Sequence, residues 1–336
     1  MYIISKIKEL ILGKPLNAHN PNIRKHIALI AVIAWIGLGA DGLSSSAYGP
    51  EEAFLALGQH TGIAIFLALV TALTVFIIAL SYNQVIELFP NGGGGYKVAT
   101  HLLGPYAGVI SGSALIVDYI LTIAVSTASG VDALFSLLPA SYSSHKVVIE
   151  MGAIIILVAL NLRGMKESIK ILLPLFLGFL VTHFLVIVIG IFYHSSQLQF
   201  IFPNAISEAN KMSNSMGLIA TLAIFLRAYS LGGGTYTGLE AVSNNVNILA
   251  EPRVRTGKIT MLYMAISLSF TAGGIILLYL LWAVKPEVGK TLNAIVFGKI
   301  ISQVGLGHYW LPIILFFEAA LLFVGANTGF LGCPAV

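Results

Sequence analysis

The chain has 336 residues, 57% of them apolar and only 10% charged, against roughly 25% charged for an ordinary soluble domain. A mean hydropathy of +0.91 and apolar runs of about 20 residues, enough to cross a hydrocarbon core of roughly 30 Å, exclude a soluble globule and predict an all-α polytopic membrane protein. The formal charge of +4 is too small to imply a nucleic-acid partner, and a single cysteine, Cys333, excludes an intramolecular disulfide and a thiolate metal centre.

The first 26 residues carry Lys6, Lys8, Lys14, Arg24 and Lys25 without the pattern of a cleaved signal peptide. They read as a cytoplasmic N-terminal segment ahead of a transmembrane domain over 27–336. Eight hydrophobic segments follow, at about 27–58, 62–88, 106–138, 147–161, 170–193, 214–249, 258–284 and 309–330. With the N-terminus inside, the inner segments hold twelve basic residues, among them Lys97, Arg163, Lys166, Lys170, Arg253, Arg255 and Lys258. The outer loops hold five: Lys146, Lys211, Lys285, Lys290 and Lys299. The positive-inside rule therefore places the N-terminus in the cytoplasm. Arg227 is the one basic residue inside a span, and a structural ion pair with an acid is expected for it.

Two spans are abnormal in the same way. Span 1 runs apolar to Trp35 and then reads Gly37-Leu-Gly-Ala-Asp41-Gly-Leu-Ser-Ser-Ser46. Span 6 reads Tyr229-Ser-Leu-Gly-Gly-Gly-Thr-Tyr-Thr-Gly238 halfway through. Glycine and serine weaken a helix interior, and unwound backbone at membrane depth is tolerated only where it lines a cavity. Both spans are therefore predicted to break. Their separation by five spans is the pattern of transporters with inverted repeats, which hold their substrate at the midplane between discontinuous helices. Glycine clusters that merely allow close helix packing are the alternative, but packing glycines are usually spaced by three and do not form a run of three beside threonine and tyrosine.

Ionisable groups within spans are costly, so each is a functional candidate. Asp41 lies in the first break, Asp118 and Asp132 in span 3, Glu240 just after the second break, and Glu318 in span 8. In span 3, Asp118, Thr122, Ser126 and Ser129 are spaced by three or four residues and, with Tyr119, share one helical face, with Asp132 about 40° from Asp118, so the stripe is expected to line a pathway. Hard monovalent cations are satisfied by oxygens. The breaks free carbonyls, and Asp41, Tyr48, Thr122, Ser126 and Thr237 can add side-chain oxygens, while no fixed cation is there to hold an anion. Glu240, beside unwound backbone, is the proton-coupling candidate, with Asp118, Asp132 and Glu318 in reserve. His183 reads as a hydrogen-bonded core residue. Asn91-Gly-Gly-Gly-Gly-Tyr96 reads as a flexible turn and not a phosphate loop, since no strand precedes it. No arrangement of nucleophile, base and orienting acid suggests an enzyme, and no cofactor is expected.

The motifs Asp41-Gly-Leu-Ser-Ser-Ser-Ala-Tyr-Gly-Pro-Glu51, Phe89-Pro-Asn-Gly-Gly-Gly-Gly-Tyr96, Val117-Asp-Tyr-Ile-Leu-Thr-Ile-Ala-Val-Ser126 and Tyr236-Thr-Gly-Leu-Glu-Ala-Val-Ser-Asn244 resemble those of the amino acid–polyamine–organocation superfamily. Within it the chain looks closest to KimA-type potassium–proton symporters, over nearly its whole length, with Asn161-Leu-Arg-Gly164 and Ala326-Asn-Thr-Gly-Phe330 fitting the same pattern. The resemblance implies a LeuT-like inverted-repeat fold. It also implies potassium bound by Asp41, Tyr48, Tyr119, Thr122, Ser126 and Thr237, with Glu240 coupling protons. The implied fold has ten core helices, and this chain stops at Val336, in or just after its eighth span, so a second repeat lacking its last two helices is expected. The functional expectation is proton-coupled potassium import by alternating access in a prokaryotic cell membrane, with a homodimer among the assemblies open to it. A proton-coupled amino acid or polyamine permease is the alternative, and a truncated, non-transporting membrane protein is the second alternative.

Overall fold

The computed structural model describes residues 29–162 and 169–332. The lysines and arginines of the N-terminal segment, Arg163 and Lys166, and Cys333 lie outside the described residues, as does any structure of the segment 1–26. Seven helices among the described residues are long and apolar enough to cross a membrane. An eighth apolar segment at 31–56 is interrupted. The chain is therefore an integral membrane protein of the all-α class. Its longest helix, α5, has 31 residues and extends about 46 Å at 1.5 Å per residue, well beyond the hydrocarbon core.

In chain order, α1 (Ala31–Ser44) runs into a 3₁₀ turn (Ser45–Ala47) and then α2 (Gly49–Ala56), which together form the first span. Span 2 is α3 (Ala64–Leu88). Next come a short helix, α4 (Gly94–Leu103), span 3 as α5 (Pro105–Phe135), span 4 as α6 (Lys146–Leu162) and span 5 as α7 (Ile169–Tyr193). Then α8 (Leu198–Met216) leads to α9 (Leu218–Leu231), a 3₁₀ turn (Gly232–Tyr236) and the four-residue α10 (Ala241–Asn244), which make up span 6. Span 7 is α11 (Arg253–Leu281). A short helix, α12 (Leu292–Val304), precedes span 8, α13 (Trp310–Gly332).

Spans 1, 2 and 3 each pack against the span five places later. The first break meets the second, α3 lies along α11, and α5 lies along α13. The innermost helix is α11, whose buried positions include Met261, Met264, Ala265, Leu268, Ala272, Ile275 and Ile276. Its Leu262, Ile266 and Phe270, four residues apart, form an exposed apolar stripe free to face lipid. By contrast, α6 has no buried residue, so its Val147, Val148, Ile155 and Ile156 are free to face lipid.

Three short helices depart from the sequence expectation. The Gly-rich turn after Phe89 gives way to α4 at once. Residues 198–216, read as part of an outer loop, form α8, an amphipathic helix that buries Ile201, Ala205 and Met212 and pairs Glu208 with His60 at 3.2 Å. The loop between spans 7 and 8 contains α12, capped where the Thr291 hydroxyl accepts from the Ala294 N–H at 3.2 Å. Each is too short or too polar to register as a span; α8 and α12 are held by their buried residues, whereas α4 buries only Gly94 and packs along α5.

Candidate functional site

The first break lies later than expected. Gly37 to Ser44 remain helical, and the chain unwinds only over Ser45–Tyr48. The low helix propensity of this run is overridden by packing, because Gly39 to Ser46 are all buried and their small side chains admit α11 and α13. Ser44, Ser45 and Ser46 each donate to the carbonyl three residues back, of Asp41, Gly42 and Leu43, at 2.6–2.7 Å. Those bonds tighten the last turn and end it. The second break falls where the glycines predict: a 3₁₀ turn to Tyr236, an extended Thr237, and Gly238 at φ 84°.

The two breaks touch. Ser45 Oγ also lies 2.8 Å from the Thr235 carbonyl. Gly238 sits so close to the first break that a Cβ there would stand 2.4 Å from Gly42 N and 2.9 Å from Asp41 Cγ, and its positive φ independently favours glycine. Span 8 closes the other side, where a Cβ on Gly325 would meet Ser44 Oγ at 2.3 Å.

Around this junction the structure gathers four of the expected oxygens. The Tyr48 hydroxyl lies 3.3 Å from Thr237 Oγ1 and 3.4 Å from the Gly234 carbonyl, to which Thr237 Oγ1 donates at 2.9 Å. Asp41 is buried at 3% exposure, and Ser126 is fully buried with no hydrogen-bond partner for its Oγ among the described residues. Thr122 is buried on the same face of α5, between Ser126 and Tyr119. Tyr119 is drawn the other way, its hydroxyl accepting from Asn244 Nδ2 at 3.1 Å.

A cavity of about 390 Å³ runs from Gly95 and Tyr96 to this junction, lined by Tyr82, Asp118, Tyr236, Thr237, Glu240 and Asn244. The Gly93 N–H donates to the Asn244 carbonyl at 3.2 Å, so the glycine loop is docked against the second break at the cavity's mouth. Three residues of its lining carry buried polar atoms without partners, Tyr236 OH, Glu240 Oε1 and Asn244 Oδ1, and Ser126 Oγ is a fourth such atom, on α5. Buried polar groups in folded proteins are normally hydrogen-bonded, so such a cluster fits a place where a ligand or water completes the shell.

Two reserve candidates lie elsewhere. Asp132 pairs with Lys146 at the start of α6, and its side chain is 38% exposed. Glu318 is buried against His183, with Glu318 Oε2 3.1 Å from His183 Nε2. His183 is a hydrogen-bonded core residue, as its sequence context suggested. Arg227 is corrected: it is exposed on α9, and no carboxylate among the described residues pairs with it. It shares its helical face with the exposed Ala223, Ser230 and Leu231, a face that no other element covers.

Thr328, Asn244 and Tyr236 were not singled out from the sequence. Thr328 lies beside the Asp41 carboxyl, and its only sequence signal was its place in Ala326-Asn-Thr-Gly-Phe330. Asn244 closes the Tyr236–Asn244 motif without a role of its own.

The amino acid permease profile matches residues 27–336. The potassium transporter KimA of Bacillus subtilis strain 168 is 33% identical over 335 residues. That alignment covers 98% of this chain but 53% of the relative, so the chain spans about half the length of the protein it matches. The chain belongs to the amino acid permease family, within the amino acid–polyamine–organocation superfamily of membrane transporters.

Proposed function

We propose that the protein carries potassium across the membrane by alternating access, coupled to protons. The observation that carries this reading is the junction of the two breaks. There, one buried carboxylate, Asp41, and the neutral oxygens of Tyr48, Ser126, Thr237 and the Gly234 carbonyl converge, with no basic side chain among them. Oxygen dipoles with a single formal negative charge suit a monovalent cation, whose lost hydration they replace. Thr122 and Tyr119 extend the same face of α5 toward the cavity and would complete the path of the ion. An amino acid substrate would bring a carboxylate against Asp41, which disfavours that alternative. A polyamine is not disfavoured by charge.

Glu240 lines the cavity three residues beyond Thr237 and has a buried, unpartnered oxygen. On this reading it holds a proton when the cation site is empty and releases it when a cation arrives nearby. The pairing of spans 1 to 3 with spans 6 to 8 is the arrangement that lets one repeat rock against the other about the breaks.

The test is uptake of a rubidium tracer by cells expressing the protein. Competition by potassium, and not by amino acids or spermidine, supports the reading. Competition by an amino acid with no response to potassium reverses it. Glu240→Gln should leave the protein in the membrane while removing the dependence of uptake on an imposed pH gradient. Accumulation that still follows the gradient in that variant would move the coupling role to another acid.

A further inference from the structure

The transport reading leaves a second cavity unused, of about 990 Å³, on the membrane face opposite the glycine loop. It opens between the ends of α5, α7 and α11, the start of α13, and α12. On α12, Ile295, Lys299 and Ser302, spaced by four and three residues, line it together with Gln303, so one face of that helix forms a wall. Gln303 Nε2 donates to the Tyr193 hydroxyl at 3.2 Å and joins this wall to the end of α7.

Aromatic residues fix its depth. Trp282 meets His194 edge-on at 4.4 Å and Tyr193 at 5.8 Å, and its Nε1 donates to the Gly190 carbonyl at 3.2 Å. Tyr309 and Trp310 stand exposed at the start of α13. Tryptophan and tyrosine gather where the hydrocarbon meets the headgroups, so the cavity lies at the level of the lipid phosphates. Below it the surface is apolar. Leu177, Val181, Phe184, Val188 and Phe192, spaced by three or four residues, form an exposed stripe along α7. Ile313 and Phe316 are exposed on α13, which packs along α7.

The charge of the cavity decides what it suits. Its lining holds two lysines, Lys290 and Lys299, and one carboxylate, Glu287. Lys290 Nζ lies 2.7 Å from Glu287 Oε2, and Lys299 forms no ion pair among the described residues. The hydrogen bond and charge of Lys290 hold the Glu287 carboxyl below the usual carboxylate range, and Lys299 stands close enough to add to the effect. The acid therefore answers one lysine and leaves a net positive charge. His194 and His308, on other walls, bring no negative charge.

A positive charge at phosphate depth, hydroxyl and amide groups beside it, and an apolar stripe running down from it match the phosphate, the polar head and the acyl chains of one phospholipid. We propose that this cavity binds the phosphate of an anionic phospholipid whose head carries hydroxyls and no ammonium, with its chains along the α7 stripe. A choline or ethanolamine head would bring its own cation against Lys299, since Glu287 is already engaged by Lys290. A soluble phosphate would satisfy the lysine and leave the stripe unused. The site is separate from the junction of the breaks and does not depend on which solute is carried.

The three tryptophans of the chain allow a local readout: Trp35→Phe with Trp310→Phe leaves Trp282, in the cavity wall, as the sole emitter. The purified protein is placed in nanodiscs of mixed phosphatidylglycerol and phosphatidylcholine, with bromine near the glycerol end of the chains of one lipid or the other. Quenching then gives the relative binding constant of the two lipids at Trp282. A preference of about fivefold for phosphatidylglycerol is expected. Lys290→Gln with Lys299→Gln should bring it to about one, and Glu287→Gln should raise it. Lys285→Gln, in the same loop but outside the lining, should leave it unchanged. An excess of glycerol phosphate should not displace phosphatidylglycerol. No preference in the parent, a preference that survives the double lysine variant or falls equally in Lys285→Gln, a decrease in Glu287→Gln, or displacement by glycerol phosphate would each overturn the proposal. The readout needs neither potassium nor a gradient, so the lipid site and the transport reading can fail separately.

Discussion

The two sides of the first break are built on opposite principles. On the side of α5 and the 390 Å³ cavity, polar atoms are buried and left unpartnered: Ser126 Oγ on the helix, and Tyr236 OH, Glu240 Oε1 and Asn244 Oδ1 in the cavity lining. Toward α12, every polar side-chain atom of His183, Asn293 and Tyr279 has a partner, in one another, in Glu318 or in the backbone carbonyls of Phe179 and Ala47. A satisfied network rigidifies, whereas an unsatisfied one costs free energy until something fills it. On the proposed reading one side recognises and the other holds, a few residues apart along one span.

The strongest way to break this comparison is to remove the charge on the recognising side. Asp41→Asn keeps the size of the side chain. A unit charge about 4 Å from a cation is worth about 4 kcal/mol at an effective dielectric of about 20. Rubidium uptake should fall by at least about 100-fold, with an unchanged elution profile in detergent; wild-type uptake would make the carboxylate structural.

On the holding side the loss appears in stability. His183→Leu or Glu318→Leu alone leaves a buried polar group without its partner and should cost about 3–5 kcal/mol, whereas the double leucine variant should recover most of it. Thermal unfolding midpoints of the three proteins in one detergent measure this. Ser126→Ala supplies the contrast, because it deletes an oxygen with no partner to lose: its midpoint should stay close to that of the parent, while stabilisation by added potassium should shrink. Equal penalties for Ser126→Ala and the single leucine variants would erase the distinction between the two sides.

Gly238→Ala probes the contact on which both sides depend. Its methyl would stand 2.4 Å from Gly42 N at φ 84°, a strain of order 1–3 kcal/mol. A drop in uptake of about tenfold or more is expected, and full activity would mean that the breaks need not touch.

Much of this organisation is legible in the sequence. The apolar segments, both interrupted spans and the stripe on α5 follow from hydropathy and from spacing by three or four. The recognising residues come with them because unwinding needs glycine and serine, which mark the place. Three things are hidden. The first break shifts to Ser45–Tyr48 because burial holds Gly39–Ser44 helical, a tertiary effect that no local propensity encodes. Asn293 sits in a helix of 13 residues inside what hydropathy reads as a loop, so nothing announces its reach to Ala47. The partnership of His183 with Glu318 spans 135 positions and exists only once α7 and α13 pack.

The smallest expected effect belongs to the acid that chain position made a candidate and the fold set aside. Asp132 shares the striped helix with Asp118 and Ser126, yet its carboxylate reaches Lys146 across the turn between α5 and α6, with both side chains partly exposed to solvent. An exposed pair gains little, because water and salt screen the attraction and two side chains must be ordered to make it; measured values centre on about 0–1 kcal/mol. Asp132→Asn should therefore shift the unfolding midpoint slightly, by less at high salt than at low, and leave rubidium uptake within about twofold of the parent. Asp118→Asn, whose carboxyl lines the 390 Å³ cavity, should lower uptake by more than that in the same assay. If the two variants behaved alike, the helical stripe rather than the cavity would define the pathway, and the contrast between the two sides of the break would lose its basis on α5.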